Sequence, residues 1–272
     1  MSRKILVLDL DGTLTNSKKE VTPKTREAIR KLQERGHVVA LASGRPTGGI
    51  RQVAEALQLE ETGGYVLAFN GAKILDWKTQ EVLFQQTLDH KYLSPLLEAA
   101  YRYNLSLVTY QNEWVIVETE MNEYAELEAR INHLNVRRVD DFVKAVDFPI
   151  NKCLYTGDPV QIKKCEDELL ERYGQDLSIF KSEDYFLEVM PQNIDKAASL
   201  DRLIHVLGIE QKDVVCCGDG YNDISMIQYA GVGVAMSNAK DVVKEAADVI
   251  TGSNDEDGLV PVIEKYFLDS DG

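Results

Sequence analysis

Short apolar runs alternate with stretches of helical period near both ends of the chain. Lys4–Leu8 holds four consecutive apolar residues, as a strand covered on both faces requires. A helix follows, entered at Thr22-Pro23, where proline suits the first turn, and stopped at Gly36. His37–Ala42 then reads as a strand, Thr47–Leu57 as a helix and Tyr65–Phe69 as a strand. The same texture returns later, with a helix over Lys196–Leu207, a strand over Asp213–Cys217, a helix over Asp223–Ala230 and a strand over Val232–Met236. Asn238 is placed to cap a helix running to Ala246, and Asp248–Thr251 is a last short strand. Strands alternating with single helices predict right-handed crossovers and a parallel sheet with helices on both faces.

Residues 83–188 have a different texture. A helix over Lys91–Tyr103 puts Leu93, Leu96, Leu97 and Ala100 on one face. Leu105–Tyr110 and Glu113–Glu118, joined at Gln111-Asn112, form a hairpin signal. A helix carrying Leu127, Ile131 and Leu134 follows, and another runs from Asp158-Pro159 to Gly174. Two further strands, Leu177–Lys181 and Tyr185–Met190, close the segment. Paired strands with helices predict an antiparallel α+β domain. The expected organisation is therefore a discontinuous α/β domain, 1–82 and 189–272, with an α/β domain of 83–188 inserted into it.

Composition narrows the class. The 272 residues are 44% hydrophobic and 28% charged, the balance of a soluble globular protein. Thirty basic against 45 acidic residues leave a net charge of −15, which disfavours nucleic acid and anionic lipid as partners. Nothing approaches the roughly 20 apolar residues of a membrane span, and Asp9 and Asp11 interrupt the only leader-like N-terminal run. Cys153, Cys165, Cys216 and Cys217 lack zinc-ligand spacing and read as reduced, buried thiols of a cytoplasmic protein. The acidic stretch Asn254–Asp257 and the tail Asp269–Gly272 read as a solvated loop and a solvated end.

Chemistry gathers just beyond the expected parallel strands. Asp9 and Asp11 follow the first, Ser43, Gly44 and Arg45 the second, and Asn70 and Gly71 the third. Gly218, Asp219, Asn222 and Asp223 follow the next, and Ser237 and Asn238 the one after. In open α/β sheets the ligand site lies outside the carboxyl ends of the strands. Any one of these loops is an ordinary turn, but four carboxylates at one rim need a cation or a shared proton. Oxygen ligands without His or Cys favour a hard ion such as Mg²⁺, which works beside phosphates. Ser43 and helix-start amides can hold phosphate oxygens, and Lys196 can supply positive charge. A carboxylate beside a bound phosphate can act as a nucleophile, and a second as general acid and base.

Asp9–Leu14 (DLDGTL), Ser43-Gly44-Arg45, Lys196 and Gly218–Asp223 (GDGYND) resemble, in order, the four motifs of the haloacid dehalogenase superfamily of phosphohydrolases. Asn70-Gly71-Ala72 and the large insert resemble its Cof-type branch, and the resemblance spans essentially the whole chain. It implies a Rossmann-like core with an inserted cap that closes over the site. It further implies Asp9 as nucleophile and metal ligand, and Asp11 as general acid and base, giving its backbone carbonyl to Mg²⁺. Ser43 and Lys196 would hold the phosphoryl group, Asp219 would complete the metal ligands, and Asp223 and Asn222 would orient them. Gly44, Arg45, Asn70, Gly71 and Asn238 would line the substrate rim. The implied activity is Mg²⁺-dependent hydrolysis of small phosphorylated metabolites, sugar or cofactor phosphates, through an aspartyl-phosphate.

Two positions depart from the pattern. Asp195-Lys196-Ala197 stands where the family has Ser-Lys-Gly, and Ser237-Asn238 where it often has Gly-Asn. Asp195 reads as a helix cap. The core motifs equally suit a phosphomutase or phosphotransferase, and less well a non-catalytic phospho-acceptor module, which has no need of Asp11. Substrate identity and oligomeric state are not legible in the sequence.

Overall fold

A computed structural model describes residues 3–269. The expected solvated end falls outside them beyond Asp269. The first five strands are β1 (Ile5–Leu8), β2 (Val38–Ala42), β3 (Tyr65–Ala68), β4 (Lys73–Asp76) and β5 (Val82–Gln85). Six more follow: β6 (Ser106–Gln111), β7 (Trp114–Val117), β8 (Asn135–Arg138), β9 (Cys153–Thr156), β10 (Leu177–Glu183) and β11 (Phe186–Pro191). The last are β12 (Val214–Gly218), β13 (Val232–Ala235) and β14 (Val249–Ile250). They form an eight-stranded sheet, ordered β14-β13-β12-β1-β2-β3-β4-β5, and a six-stranded sheet, ordered β10-β11-β9-β6-β7-β8.

The eight-stranded sheet belongs to a compact unit that contains, among the described residues, 3–44, Arg51–Phe84 and 195–269. β1 is entirely buried and pairs in parallel on both sides. Ile5 sits opposite Val38 and Val214, and Leu8 opposite Leu41 and Cys217. This register ends three neighbouring strands at one level, so Asp9, Ser43 and Asp219 emerge at the same edge. β4 turns back antiparallel on β3. β4 and β5 are absent from the sequence reading, because strands of four residues bounded by charge carry little periodic signal. The helix Pro23–Glu34 is capped by Thr22, whose hydroxyl accepts from the Thr25 amide at 3.2 Å, and it buries Ala28, Ile29 and Leu32. Burial of Ile29 and of Leu32 contributes about 1.5–3 kcal/mol each.

The second unit contains Arg45–Ile50 and Gln85–Ile194. Its pairings are antiparallel except β7 with β8, which is parallel. An exposed strand reading Asn-Val-Arg-Arg gives no alternation to detect. One face of the sheet presents Leu107, Ile116, Cys153, Tyr155, Leu187 and Val189 to a core shared with the helices Leu93–Tyr103 and Pro159–Tyr173. The helix Glu123–Ile131 is not oriented as its leucines suggest. It buries Ala125, Glu128 and Ala129 and leaves Ile131 exposed, while Leu134 is buried beyond its end. The Tyr110 hydroxyl donates to Glu128 at 2.7 Å, which lets a carboxylate replace an apolar residue on that face. All four cysteines are free and buried.

Candidate active site

The segment after β1 is a tight turn folded on the Leu10 carbonyl. That oxygen accepts from the Thr15 amide and hydroxyl, both at 2.9 Å, and from the Thr13 amide at 3.4 Å. Gly12 takes φ +88° and lies against the Asp219 carboxylate, where any side chain would collide. Thr13 donates its hydroxyl to Asp219 Oδ1 at 2.7 Å. The turn thereby carries Asp9 and Asp11 out of the sheet and fixes Asp219 beside them.

Lys196 opens the helix Lys196–Leu207, whose cap is Asp195, accepting from the Ala198 amide at 2.9 Å as expected. The lysine is 1% exposed. Its ammonium donates to Asp9 Oδ1 at 2.6 Å, to Asp223 Oδ1 at 2.6 Å and to the Ala42 carbonyl at 2.8 Å, which uses all three of its protons. The other oxygen of Asp223 accepts from the backbone amides of Asp219 and Gly220, at 2.9 and 2.8 Å. Asp223 is fully buried, with both oxygens engaged.

Two buried carboxylates around one ammonium leave an excess negative charge. Burial, and then repulsion from Asp223, push the Asp9 carboxyl up to about 8, against the attraction of Lys196. Burial opposes the charge of Lys196 too, but Asp9 and Asp223 outweigh it and hold its pKa above the ordinary value. Asp219 is raised by burial, against the Thr13 hydrogen bond that favours its charged form. One carboxylate oxygen from each of Asp9, Asp219 and Asp223 lies within 4.8 Å of the others. A hard cation fits this arrangement, since it supplies the missing positive charge to an all-oxygen set. Asp223 is already engaged with Lys196 and two amides, so Asp9 and Asp219 are the carboxylates that could hold such a cation.

The remaining expected residues divide. Ser43 is buried at the end of β2, and its carbonyl accepts from the Asn70 amide at 2.9 Å. Asn70 adopts a left-handed conformation, φ 55°, and its side-chain oxygen accepts from Asn222 at 3.1 Å, so Asn222 is placed on Asn70. A side chain at Gly44 would press on Asn70, and one at Gly71, φ +97°, would collide with Ser199. Arg45 clusters with the second unit, where it donates to the Gly49 carbonyl at 3.1 Å. Asn238 is not a helix cap: the helix Asp241–Ala246 starts after Lys240, and the Asn238 amide instead donates to the Gly12 carbonyl at 2.8 Å. Thr13 escapes the sequence reading as a residue in its own right. Its signal was its place inside DLDGTL.

Comparison with known proteins accounts for this combination. A model of the haloacid dehalogenase-like hydrolases matches residues 6–263. The chain belongs to that family. It is 31% identical over 270 residues to the 5-amino-6-(5-phospho-D-ribitylamino)uracil phosphatase YcsE of Bacillus subtilis (strain 168), covering 97% of this chain and 96% of the relative. A crystal structure of a haloacid dehalogenase-like hydrolase from Bacteroides thetaiotaomicron superposes with TM-score 0.94 at 44% identity, covering 98% and 100% of the two chains. The HAD subclass IIB sugar phosphatase BT4131 superposes with TM-score 0.81 at 25% identity, covering 97% and 99%. This haloacid dehalogenase-like hydrolase is thus a phosphatase of the superfamily, acting on phosphorylated small molecules. No helix among the described residues is long and apolar enough to cross a membrane.

Proposed function

We propose that the enzyme hydrolyses small phosphomonoesters, sugar phosphates or cofactor phosphates, by way of a phosphorylated Asp9 and with Mg²⁺. The observation that carries this reading is the buried ammonium of Lys196 shared between Asp9 and Asp223, with Asp219 alongside. A buried carboxylate with surplus negative charge around it is costly unless the site is built for a cation and an anion together. Mg²⁺ would be held by Asp9, Asp219 and the Asp11 backbone carbonyl, and would reduce the repulsion between carboxylate and phosphate.

Asp9 forms a bond to phosphorus as the ester oxygen leaves, and Asp11 gives that oxygen a proton. Asp11 then accepts a proton from water as the water oxygen attacks phosphorus and releases Asp9. Ser43 and Lys196 hold the transferring phosphoryl group, the Lys196 ammonium turning the hydrogen bond it gives Asp9 to a phosphoryl oxygen, and Asp223 keeps Lys196 and the Asp219 backbone in place. Gly44, Asn70, Gly71 and Asn222 stand at the rim where a substrate enters. The sugar phosphatase among the structural relatives and the ribitylamino-uracil phosphatase among the sequence relatives both support a polyhydroxylated leaving group.

The test is phosphate release from a panel of sugar and cofactor phosphates, with Mg²⁺ and after its removal by chelation, beside Asp9→Asn. Release is expected only with metal and only from the wild type, with the variant folded to the same melting temperature or higher. Full turnover by Asp9→Asn overturns the mechanism. Isomerised ester without free phosphate would make the enzyme a mutase.

A further inference from the structure

Asp11 pairs with a lysine of its own loop. Its Oδ1 lies 2.8 Å from the Lys19 ammonium, in a pair whose side chains are 37% and 62% exposed respectively. Lys19 stands in a tight turn. The Asn16 side-chain oxygen accepts from the amides of Lys18 and Glu20, at 2.9 and 3.0 Å, and the Asn16 carbonyl accepts from the Lys19 amide at 2.8 Å. Lys19 itself adopts φ 63°, a left-handed conformation that a side chain rarely takes without external support.

That support comes from the far end of the chain. Asp255 accepts from both the amide and the hydroxyl of Ser17, at 2.7 and 2.6 Å. Its neighbour Asn254 donates to the Thr15 carbonyl at 2.9 Å, and Asp257 accepts from the Thr22 hydroxyl. The short turn Asn254–Glu256 therefore fastens the segment between Thr15 and Thr22 from outside. A stretch that reads in sequence as a solvated acidic loop is spent on the turn bearing Lys19.

We propose that Lys19 is a positioning residue for Asp11, and that Asp255 acts through Ser17 to keep Lys19 in place. The proposal rests on Asp11 being the proton donor to the leaving oxygen. Esters of aliphatic alcohols need that proton, whereas a nitrophenolate leaves without it. A residue that aims Asp11 therefore matters for one class of ester and not for the other. A cation that merely attracts phosphate would matter equally for both.

The experiment measures kcat/KM for glycerol 3-phosphate and for p-nitrophenyl phosphate. The proteins are the wild type, Lys19→Met, Lys19→Arg, Asp255→Ala, the Lys19→Met/Asp255→Ala double variant, and Lys18→Met as the neighbouring-charge control. Lys19→Met is expected to lose about threefold to fivefold on the alkyl ester, the scale of one exposed ion pair, with little change on the aryl ester. Lys19→Arg restores the alkyl activity, Lys18→Met matches the wild type, and Asp255→Ala reproduces the selective loss. The double variant loses no more than Lys19→Met, since both changes act on one contact. Equal losses on both esters, an unchanged ratio, or a gain in alkyl activity would each overturn the proposal while leaving the phosphatase reading intact. A wild type inert to every phosphomonoester overturns that reading itself.

Discussion

Lys196 and Asp223 meet at 2.6 Å in a place screened from solvent, and the second oxygen of Asp223 caps the backbone amides of Asp219 and Gly220. One carboxylate thus joins the lysine that faces Asp9 to the loop that carries Asp219. An amide in its place has one acceptor oxygen, and its NH₂ must face either an ammonium or two N–H donors. On the Mg²⁺ site proposed above, Asp223→Asn is expected to lower turnover about 10- to 100-fold, the usual cost of disturbing a group behind metal ligands. Phosphate release at saturating substrate and metal measures it, and turnover within twofold of the wild type would refute the orienting role.

The second unit contains its own buried ion pair. Lys152 lies 3.3 Å from Glu188, with the two side chains 4% and 10% exposed. The Lys152 ammonium also sits 5.4 Å from the centre of the Tyr110 ring. Glu188 Oε2 is buried without a hydrogen-bond partner. Removing one member strands the other charge. Lys152→Met alone is therefore expected to destabilise by about 3–5 kcal/mol, and Lys152→Met with Glu188→Leu to recover most of that loss. Urea unfolding of the two variants decides it, and a double variant no better than the single one would count against the pair.

His37 gives the fold an acid limit. It is buried, stacked edge-on against Phe267, and its Nδ1 accepts from the Lys4 amide at 3.2 Å. Burial first, then Lys4 and Arg35, hold its pKa below the ordinary 6.5. Below pH 6.5 the unfolded chain takes up a proton that the folded chain refuses. Stability is thus fully present above that pH and is lost as pH falls toward the depressed folded value. His37→Gln should flatten this part of the profile. Urea midpoints between pH 7.5 and 5 test it, and parallel slopes in the two proteins would exclude His37 as the cause.

The legible part of the fold was the part whose pattern is local. The run Ile5–Leu8, the helix Lys196–Leu207 and the Asp195 cap follow from apolar runs and capping chemistry, and the structure places all three there. β8 was hidden because Asn135–Arg138 lies exposed at a sheet edge and has no apolar face to announce it. The helix over Glu123–Ile131 misled because burial of Glu128 depends on Tyr110, a partner 18 residues away. In the site, Asp9, Asp219 and Asp223 could be grouped from strand-end logic alone. Lys196 could not, because a lysine at a helix start is ordinarily a surface residue, and only the order of the motifs marked it out. Asn238 does not cap a helix as expected because its hydrogen bond crosses to Gly12, and such a partner leaves no trace in local sequence.

The pairing of β1 with β12 also bears on how the protein is made. The strand that leads to Asp9 leaves the ribosome well before the one that leads to Asp219, to which it pairs. Until Val214–Gly218 emerges, β1 has β2 along one side only, and its other edge presents unpaired backbone groups beside wholly apolar side chains. Such an edge invites pairing with other chains. The nascent polypeptide therefore carries an adhesive half-sheet until β12 emerges, and that one strand both silences the edge and brings in Asp219.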